Sequence, residues 1–267
     1  MKKQYRQSDL VNYFSCPKKF LFSQKVPFEK TNAMREGHLF EGLVFGFKEN
    51  HFAEFDLPID QDPLDNPAKK FKVTEETMTS YKVGAEVVKK IFTDGQAYVE
   101  LSVSNEKWTL RGEADWLGNG IYLGQDTRAL WDLKFTGDIE RNWGNKESRI
   151  EEFFQSVVYP YLHWKNTGEI LPFIYVLVEN QKKIPEGVSP FIKTMGYQPT
   201  IEDFAKLEKF IDMVDADFEF EPNQNACIGG QWNHIECRYI MHCQYGRYLK
   251  EIPVLIPSLE WPLEVAG

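Results

Sequence analysis

Three charged residues that could perform chemistry lie in an apolar stretch between residues 110 and 135. Asp115 ends one short β-rich segment, and Asp132 and Lys134 flank Leu133 in another. Because side chains alternate along a strand, Asp132 and Lys134 would share one face while Leu133 points into the core. Adjacent buried carboxylates repel each other and need a positive partner. A Mg²⁺ or Mn²⁺ ion would supply it, with Lys134 near the attacking water or a scissile phosphate.

A simpler interpretation of these three residues is a surface salt bridge between Lys134 and either aspartate. So short a pattern is common by chance, and alone it favours the salt bridge. Gln155 and Tyr159 provide further support for a site, because residues four apart share one face of a helix. An ordinary helix at the edge of the core would look the same.

Two other residues bear on this prediction. Pro160, directly after Tyr159, should disturb or kink its helix. His38 lies on an upstream helix with Glu41 one turn later, and a neutral imidazole can complete a carboxylate metal site. A single histidine on a helix surface is the simpler interpretation.

The chain has four cysteines, Cys16, Cys227, Cys237 and Cys243. Three of them fall within 17 residues near the C-terminus. Thiolates can hold an iron–sulfur cluster or a zinc ion in a closed site. The wide separation is unlike a zinc ribbon with two Cys-x-x-Cys pairs. Four buried, reduced thiols are the alternative.

Charge is unevenly distributed over the 267 residues, whose formal net charge is -9. Residues 1–35 hold eight Lys/Arg and two Asp/Glu, a balance of +6, whereas residues 201–221 hold two and eight, a balance of -6. Aromatic residues among the N-terminal charges could stack on single-stranded bases, but an amphipathic helical pair with buried aromatics is favoured. No apolar run suits a membrane span, and the N-terminus does not resemble a signal peptide, so we expect a cytoplasmic protein.

The elements that must position these residues form an α/β pattern. Four β-rich segments, AYVELSVS, WTLRGEAD, GIYLG and ALWDLKF, are separated by turn signals that include Gly-Asn-Gly. Helices are predicted over 32–50, 74–94, about 149–165 and 200–216, and a strand over 171–179. The order indicates a mixed sheet with helical additions.

The ordered set of His38, Asp115, Asp132-Leu133-Lys134 and Gln155-x-x-x-Tyr159 resembles the RecB-like branch of the PD-(D/E)XK nucleases. The segment YFSCPKKFLF at 13–22 resembles the members with an iron–sulfur cluster, such as the AddB nuclease domain and the CRISPR-adaptation nucleases. The resemblance implies a restriction-endonuclease-like sheet and a single nuclease domain over 1–267. Within it, 1–95 would be a helical part, 96–180 the nuclease core, and 181–267 the C-terminal helix and cysteine segment.

Roles for individual residues also follow from the resemblance. It implies metal ligation by His38, Asp115, Asp132 and the Leu133 carbonyl, catalysis by Lys134, and support by Gln155 and Tyr159. It implies a [4Fe-4S] cluster on Cys16, Cys227, Cys237 and Cys243. The family often has Cys-x-x-Cys-x5-Cys at its end, but here His234 stands three before Cys237, so the fourth ligand is either Cys227 or His234, and zinc stays an alternative.

The activity that the resemblance implies is a Mg²⁺- or Mn²⁺-dependent DNA exonuclease. Single strands or DNA ends would be its substrate, in recombination, repair or phage DNA processing, with a possible partner protein. The alternatives are a non-cleaving subunit that binds DNA or a partner, and a structure-specific endonuclease that would also cut closed circles.

Overall fold

The computed structural model describes residues 2–25, 30–48, 73–143, 154–181, 188–217 and 219–220. The helices of these parts are α1 Gln7–Ser15, α2 Pro17–Ser23, α3 Asn32–Phe45, α4 Glu75–Lys89, α5 Ile139–Trp143, α6 Phe154–Thr167 and α7 Ile201–Ala216. The strands are β1 Lys3–Arg6, β2 Phe92–Ser104, β3 Trp108–Tyr122, β4 Gln125–Thr136, β5 Phe173–Glu179 and β6 Ile192–Tyr197. No helix in these parts combines the length and apolar composition needed to cross a bilayer.

The six strands form one mixed sheet in the order β1-β3-β4-β5-β6, with β2 also paired to β3. The β2–β3, β3–β4 and β5–β6 pairs are antiparallel, and the β1–β3 and β4–β5 pairs are parallel. Helix α6 lies between β4 and β5 in the chain, as a parallel crossover requires. This mixed α/β architecture confirms the predicted fold class.

Helices α3 and α4 pack on the sheet through an apolar cluster that includes Phe40, Tyr81, Trp131 and Leu133. The Phe40 ring stacks on Phe135 of β4 at 4.2 Å between centroids. Ala129, Trp131 and Leu133 of β4 all belong to this cluster, which confirms that the odd-numbered residues of the strand face it. Asp132 and Lys134 therefore take the other face of that strand.

The contacts divide the chain into two compact units. The first contains β1 and the described residues from 30 to 216, and thus the whole sheet. The second contains residues 8–25 with 217, 219 and 220. Within it the Tyr13 hydroxyl donates to Asp217 Oδ2 at 2.5 Å, and the Phe20 and Phe220 rings lie 5.9 Å apart.

Strand β3 differs from the prediction because it runs unbroken through the Gly-Asn-Gly sequence that indicated a turn. These glycines serve close packing instead. A Cβ atom on Gly118 would collide with the Asp94 carbonyl of β2, and one on Gly120 would lie 2.7 Å from the Trp131 ring. The short strands β1 and β6 were not predicted, α3 and α4 end about five residues early, and α6 continues through Pro160 to Thr167.

Candidate active site where two strands diverge

The candidate site lies at a gap along one edge of β3. Residues 109–111 of β3 pair with β2 on one edge and β1 on the other, and residues 116–120 pair with β2 and β4. Strands β1 and β4 therefore lie along the same edge of β3, and the pairing of β3 with β4 begins only at Trp116. Asp115 is the residue next to this opening. Its Oδ2 atom accepts a hydrogen bond from the Leu133 backbone N–H at 2.8 Å, so a carboxylate takes the place of a ladder carbonyl.

Asp132 is the most buried of the predicted site residues, at 2% exposure. Its Oδ1 atom accepts a hydrogen bond from Gln155 Nε2 at 2.9 Å. Its Oδ2 atom lies 2.5 Å from Lys134 Nζ, yet it accepts no hydrogen bond of good geometry, so this contact is an ion pair. The Lys134–Asp132 ion pair that the sequence suggested as an alternative is therefore present. Because Asp132 is buried, it is not a surface salt bridge.

Burial raises the pKa of Asp115, and repulsion from Asp132 and Glu41 raises it further. Burial also raises the pKa of Asp132, although Lys134 and Gln155 oppose the shift. For Lys134, burial lowers the pKa, but attraction to Asp132 and Asp115 outweighs it, so the pKa is raised. The single positive charge of Lys134 therefore does not neutralise both Asp115 and Asp132.

Glu41 of α3 is a third carboxylate of this group. Burial raises its pKa, Lys48 and His38 lower it, and Asp132 raises it. The sequence placed Glu41 one turn after His38 but gave it no firm role. The charges of Asp132 and Lys134 influence its pKa, so α3 contributes a third carboxylate to the electrostatics of the site. His38 itself is partly buried, and its Nδ1 lies 3.1 Å from Lys30 Nζ.

Gln155 and Tyr159 lie on one face of α6, as predicted. Gln155 Nε2 lies 3.5 Å from the Tyr159 hydroxyl while it donates to Asp132. Tyr159 can approach β3 because residue 112 has no side chain: a Cβ atom there would lie 2.5 Å from Cε1 of the tyrosine. The Tyr159 ring also packs on Phe173, with centroids 5.8 Å apart.

Three residues near the site, Lys48, Tyr98 and Tyr175, were given no role from the sequence. Lys48 Nζ lies 2.5 Å from Glu113 Oε1 and 4.0 Å from the centroid of the Tyr98 ring. Tyr175 of β5 lies across from Asp132, and the Lys134 ammonium is 5.9 Å from its ring centroid. Tyr98 and Tyr175 are strand residues and Lys48 follows the end of α3, so only the tertiary fold brings them to the site.

Cys16 is the one predicted cluster ligand in the described parts of the chain. It is 3% exposed and precedes α2 at the N-cap position. Cys227, Cys237, Cys243 and His234 lie outside the described residues. Among the N-terminal aromatics on α1 and α2, Tyr13 and Phe20 are buried, which favours the amphipathic-helix interpretation over a stacking surface.

The donor set at the divergence fits a hard divalent cation. Asp115 and Asp132 offer carboxylate oxygens, and Asp132 Oδ2 is buried without a hydrogen bond. Both carboxylates would be stabilised by a positive charge because their pKa values are raised. In the described residues no three His, Cys, Asp or Glu side chains already converge around a metal position.

No protein-family model matches the chain, and no curated protein matches its sequence. Among solved structures, it is similar to the crystal structure of a protein from Eubacterium rectale described as a candidate exonuclease. The TM-score is 0.52 at 16% identity, over 95% of this chain and 91% of that one. At this identity the likeness shows the fold alone: a central mixed sheet flanked by helices, consistent with the restriction-endonuclease-like fold.

Proposed function

We propose that the chain is a metal-dependent deoxyribonuclease whose centre contains Asp115, Asp132 and Lys134. The observation that carries the proposal is a group of two carboxylates of raised pKa and one ammonium at the opening beside Asp115 on the edge of β3. Lys134 Nζ lies 2.5 Å from Asp132 Oδ2, and Asp115 Oδ2 accepts a hydrogen bond from the Leu133 N–H. A purely structural ion pair would need one carboxylate, and the second makes the group less stable. Such a cost is typical of functional sites.

In this proposal Asp115 and Asp132 hold a Mg²⁺ or Mn²⁺ ion, with the Leu133 carbonyl and His38 as further ligands from the resemblance. The ion would supply Lewis acidity to the scissile phosphodiester. Lys134 keeps its proton, since its pKa is raised, and can stabilise negative charge on the phosphate in the transition state.

Gln155 has a positioning role, because its amide holds one oxygen of Asp132 and leaves Oδ2 toward Lys134. The Tyr159 hydroxyl, one turn further along α6, lies 3.5 Å from the same amide nitrogen. Outer contacts of this kind orient metal ligands and support their affinity.

We further propose the RecB-like PD-(D/E)XK type, acting as an exonuclease on single-stranded DNA or DNA ends. The sequence motifs support this type, and the structural neighbour described as a candidate exonuclease is compatible with it. Recombination, repair or phage DNA processing in the cytoplasm, with a partner protein, is the corresponding role.

An iron–sulfur cluster on Cys16, Cys227, Cys237 and Cys243 is also part of the proposal, with His234 or zinc as variants of the site. The contacts of Tyr13 with Asp217 and of Phe20 with Phe220 support it. They connect the helix pair that carries Cys16 to the start of the C-terminal segment that carries the other cysteines. Bound metal would then stabilise this unit.

The test is degradation of end-labelled linear single- and double-stranded DNA, with closed circles in parallel. Reactions contain Mg²⁺, Mn²⁺ or EDTA and use the native chain, purified without air, or Lys134→Ala. We expect metal-dependent loss of linear DNA that the substitution abolishes, with circles intact. The exposed Lys89→Ala, whose partner Glu86 lies on the same helix, is the matched control and should leave cleavage unchanged.

Two results would change the assignment. Cleavage of closed circles would identify an endonuclease. DNA binding without cleavage of any substrate would contradict the nuclease proposal and favour a binding subunit with this fold.

A further inference from the structure

Lys48, two residues beyond the glycine that ends α3, is held between groups that attract a cation. Its Nζ atom lies 2.5 Å from Glu113 Oε1 and 3.9 Å from Glu41 Oε1. The same ammonium lies 4.0 Å from the centroid of the Tyr98 ring, within the range of a cation–π interaction. The lysine side chain is only 22% exposed. Lys48 therefore has a defined position and is not a freely solvated surface charge.

Tyr98 is fixed in a way that supports this position. Its φ of 55° is in the left-handed region, which is costly for an aromatic residue in a strand. The β2–β3 pairing passes from Ala97 to Val99, so Tyr98 is left out of the ladder. Its hydroxyl donates to the Gly46 carbonyl at 2.7 Å, which ties the ring to the chain just before Lys48.

Lys48 is electrostatically part of the candidate site. Attraction from Lys48 lowers the pKa of Glu41, the same carboxylate that Asp132 and Lys134 influence. Geometry places the same groups together: Glu113 lies two residues before Asp115 in β3, and Tyr98 lies between Ala97 and Val99, whose partners Trp116 and Ala114 flank Asp115. The Lys48 ammonium thus contacts Glu41 and Glu113, two carboxylates that neighbour Asp115 and Asp132 in the fold or in their electrostatic influence.

Counting formal charges in that group gives a simple result. The carboxylates are Glu41, Glu113, Asp115 and Asp132, and the ammonium groups are Lys48 and Lys134. With all four carboxylates ionised, as metal binding requires, four negative and two positive charges leave a balance of -2, which one divalent ion neutralises. A second divalent ion would leave an excess of +2 beside the buried Asp132, which is unfavourable.

We propose that Lys48 is a built-in cation that takes the place of a second divalent metal ion, so that the centre binds one ion. The inference rests on the proposed function, since it specifies the metal content of that same site. Without the Lys48 charge, Glu41 and Glu113 would be free to hold another cation.

The experiment counts the Mn²⁺ ions that bind to metal-free protein in the absence of DNA. The count is made by isothermal titration calorimetry and by the loss of the electron paramagnetic resonance signal of free Mn²⁺. Asp132→Asn measures binding elsewhere on this acidic chain, and its count is subtracted. We expect one ion per native chain. Lys48→Met, which keeps the length of the side chain, should bind a second ion. Lys48→Arg and the exposed control Lys89→Met should bind one.

Two ions in the native chain, or none, would overturn the proposal, and so would a count of one in a folded Lys48→Met protein. If circular dichroism shows that Lys48→Met does not fold, the native count still decides. Because the count is made without DNA, it separates the two proposals. One bound ion without cleavage contradicts only the nuclease function, whereas two ions with cleavage contradict only the role of Lys48.

Discussion

Replacing Asp115 by Asn should stabilise the metal-free protein while it removes activity. The pKa of Asp115 is raised by burial and by repulsion from Asp132 and Glu41, and the Leu133 N–H and Lys134 offset only part of this. An Asn side chain can still accept the hydrogen bond from Leu133, which is 2.8 Å long in the native chain. The substitution therefore removes a repelling charge with little loss of contact.

The size of this effect follows from linkage. A carboxyl pKa raised by one unit corresponds to about 1.4 kcal/mol of lost stability once the group is ionised. For this chain length, 1 kcal/mol shifts the Tm by roughly 2–4 °C. A stabilisation of about 1 kcal/mol would raise the Tm of Asp115→Asn in EDTA by roughly 2–4 °C at neutral pH, and we expect a rise of this order.

The pH dependence has a definite sign. Because the folded-state pKa of Asp115 is raised, the native chain carries no penalty below the unfolded pKa of about 3.9. The penalty grows as the pH rises from there through the folded-state pKa, and it is complete above it. The advantage of Asp115→Asn should therefore be present at neutral pH and vanish near pH 4.

Thermal unfolding followed by circular dichroism, in EDTA and across this pH range, measures the effect. Asp94→Asn, at an exposed aspartate of β2, is the control and should change the Tm little. In saturating Mg²⁺ the native chain should have the higher Tm. Bound Mg²⁺ adds about 2.7 kcal/mol to its free energy of unfolding at 100 times the Kd, whereas the variant has lost a metal ligand. A lower Tm for Asp115→Asn in EDTA at neutral pH would refute the reasoning.

Three further substitutions test the other parts of the site. Lys134→Met should lower the cleavage rate by about 10²–10³-fold, with DNA affinity measured by fluorescence anisotropy changing little, because its charge acts in the transition state; an unchanged rate would exclude the role. Gln155→Leu should weaken Mg²⁺ activation by about 10–100-fold, since it removes the 2.9 Å bond to Asp132, and activation at the native Mg²⁺ concentration would contradict this. Gly112→Ala should lower both stability, by about 1–3 kcal/mol in a urea titration, and turnover, because its Cβ would lie 2.5 Å from the Tyr159 ring; a native-like variant would show that Tyr159 can move without consequence.

The sequence predicts the elements that have strong local periodicity. Alternation along β4 correctly placed Asp132 and Lys134 on one face and Leu133 in the core, and the helix predicted to run from Thr200 to about residue 216 is observed as α7, Ile201–Ala216. The four-residue spacing of Gln155 and Tyr159 likewise predicted their common face, which the structure uses to contact Asp132.

Other features depend on partners far away in the chain. The glycines at 118 and 120 indicated a turn, but they permit close approach of β2 and of Trp131 within one long strand. Lys48 and Tyr98 meet because a helix end and an irregular strand are brought together by the sheet. Local propensity contains no information on such contacts, so neither residue could be assigned a role from its neighbours in sequence.

The most direct test of the central claim is single-turnover hydrolysis of a short labelled single strand as Mg²⁺ is increased, with native chain and Asp132→Asn side by side. Asp132 contacts both Lys134 and Gln155. Replacing it by Asn therefore removes a proposed metal ligand and the ion pair of the catalytic lysine together. We predict a native rate that rises with Mg²⁺ to a plateau and a variant rate that stays at background. Native cleavage in EDTA, or cleavage by Asp132→Asn at the native rate, would contradict the account.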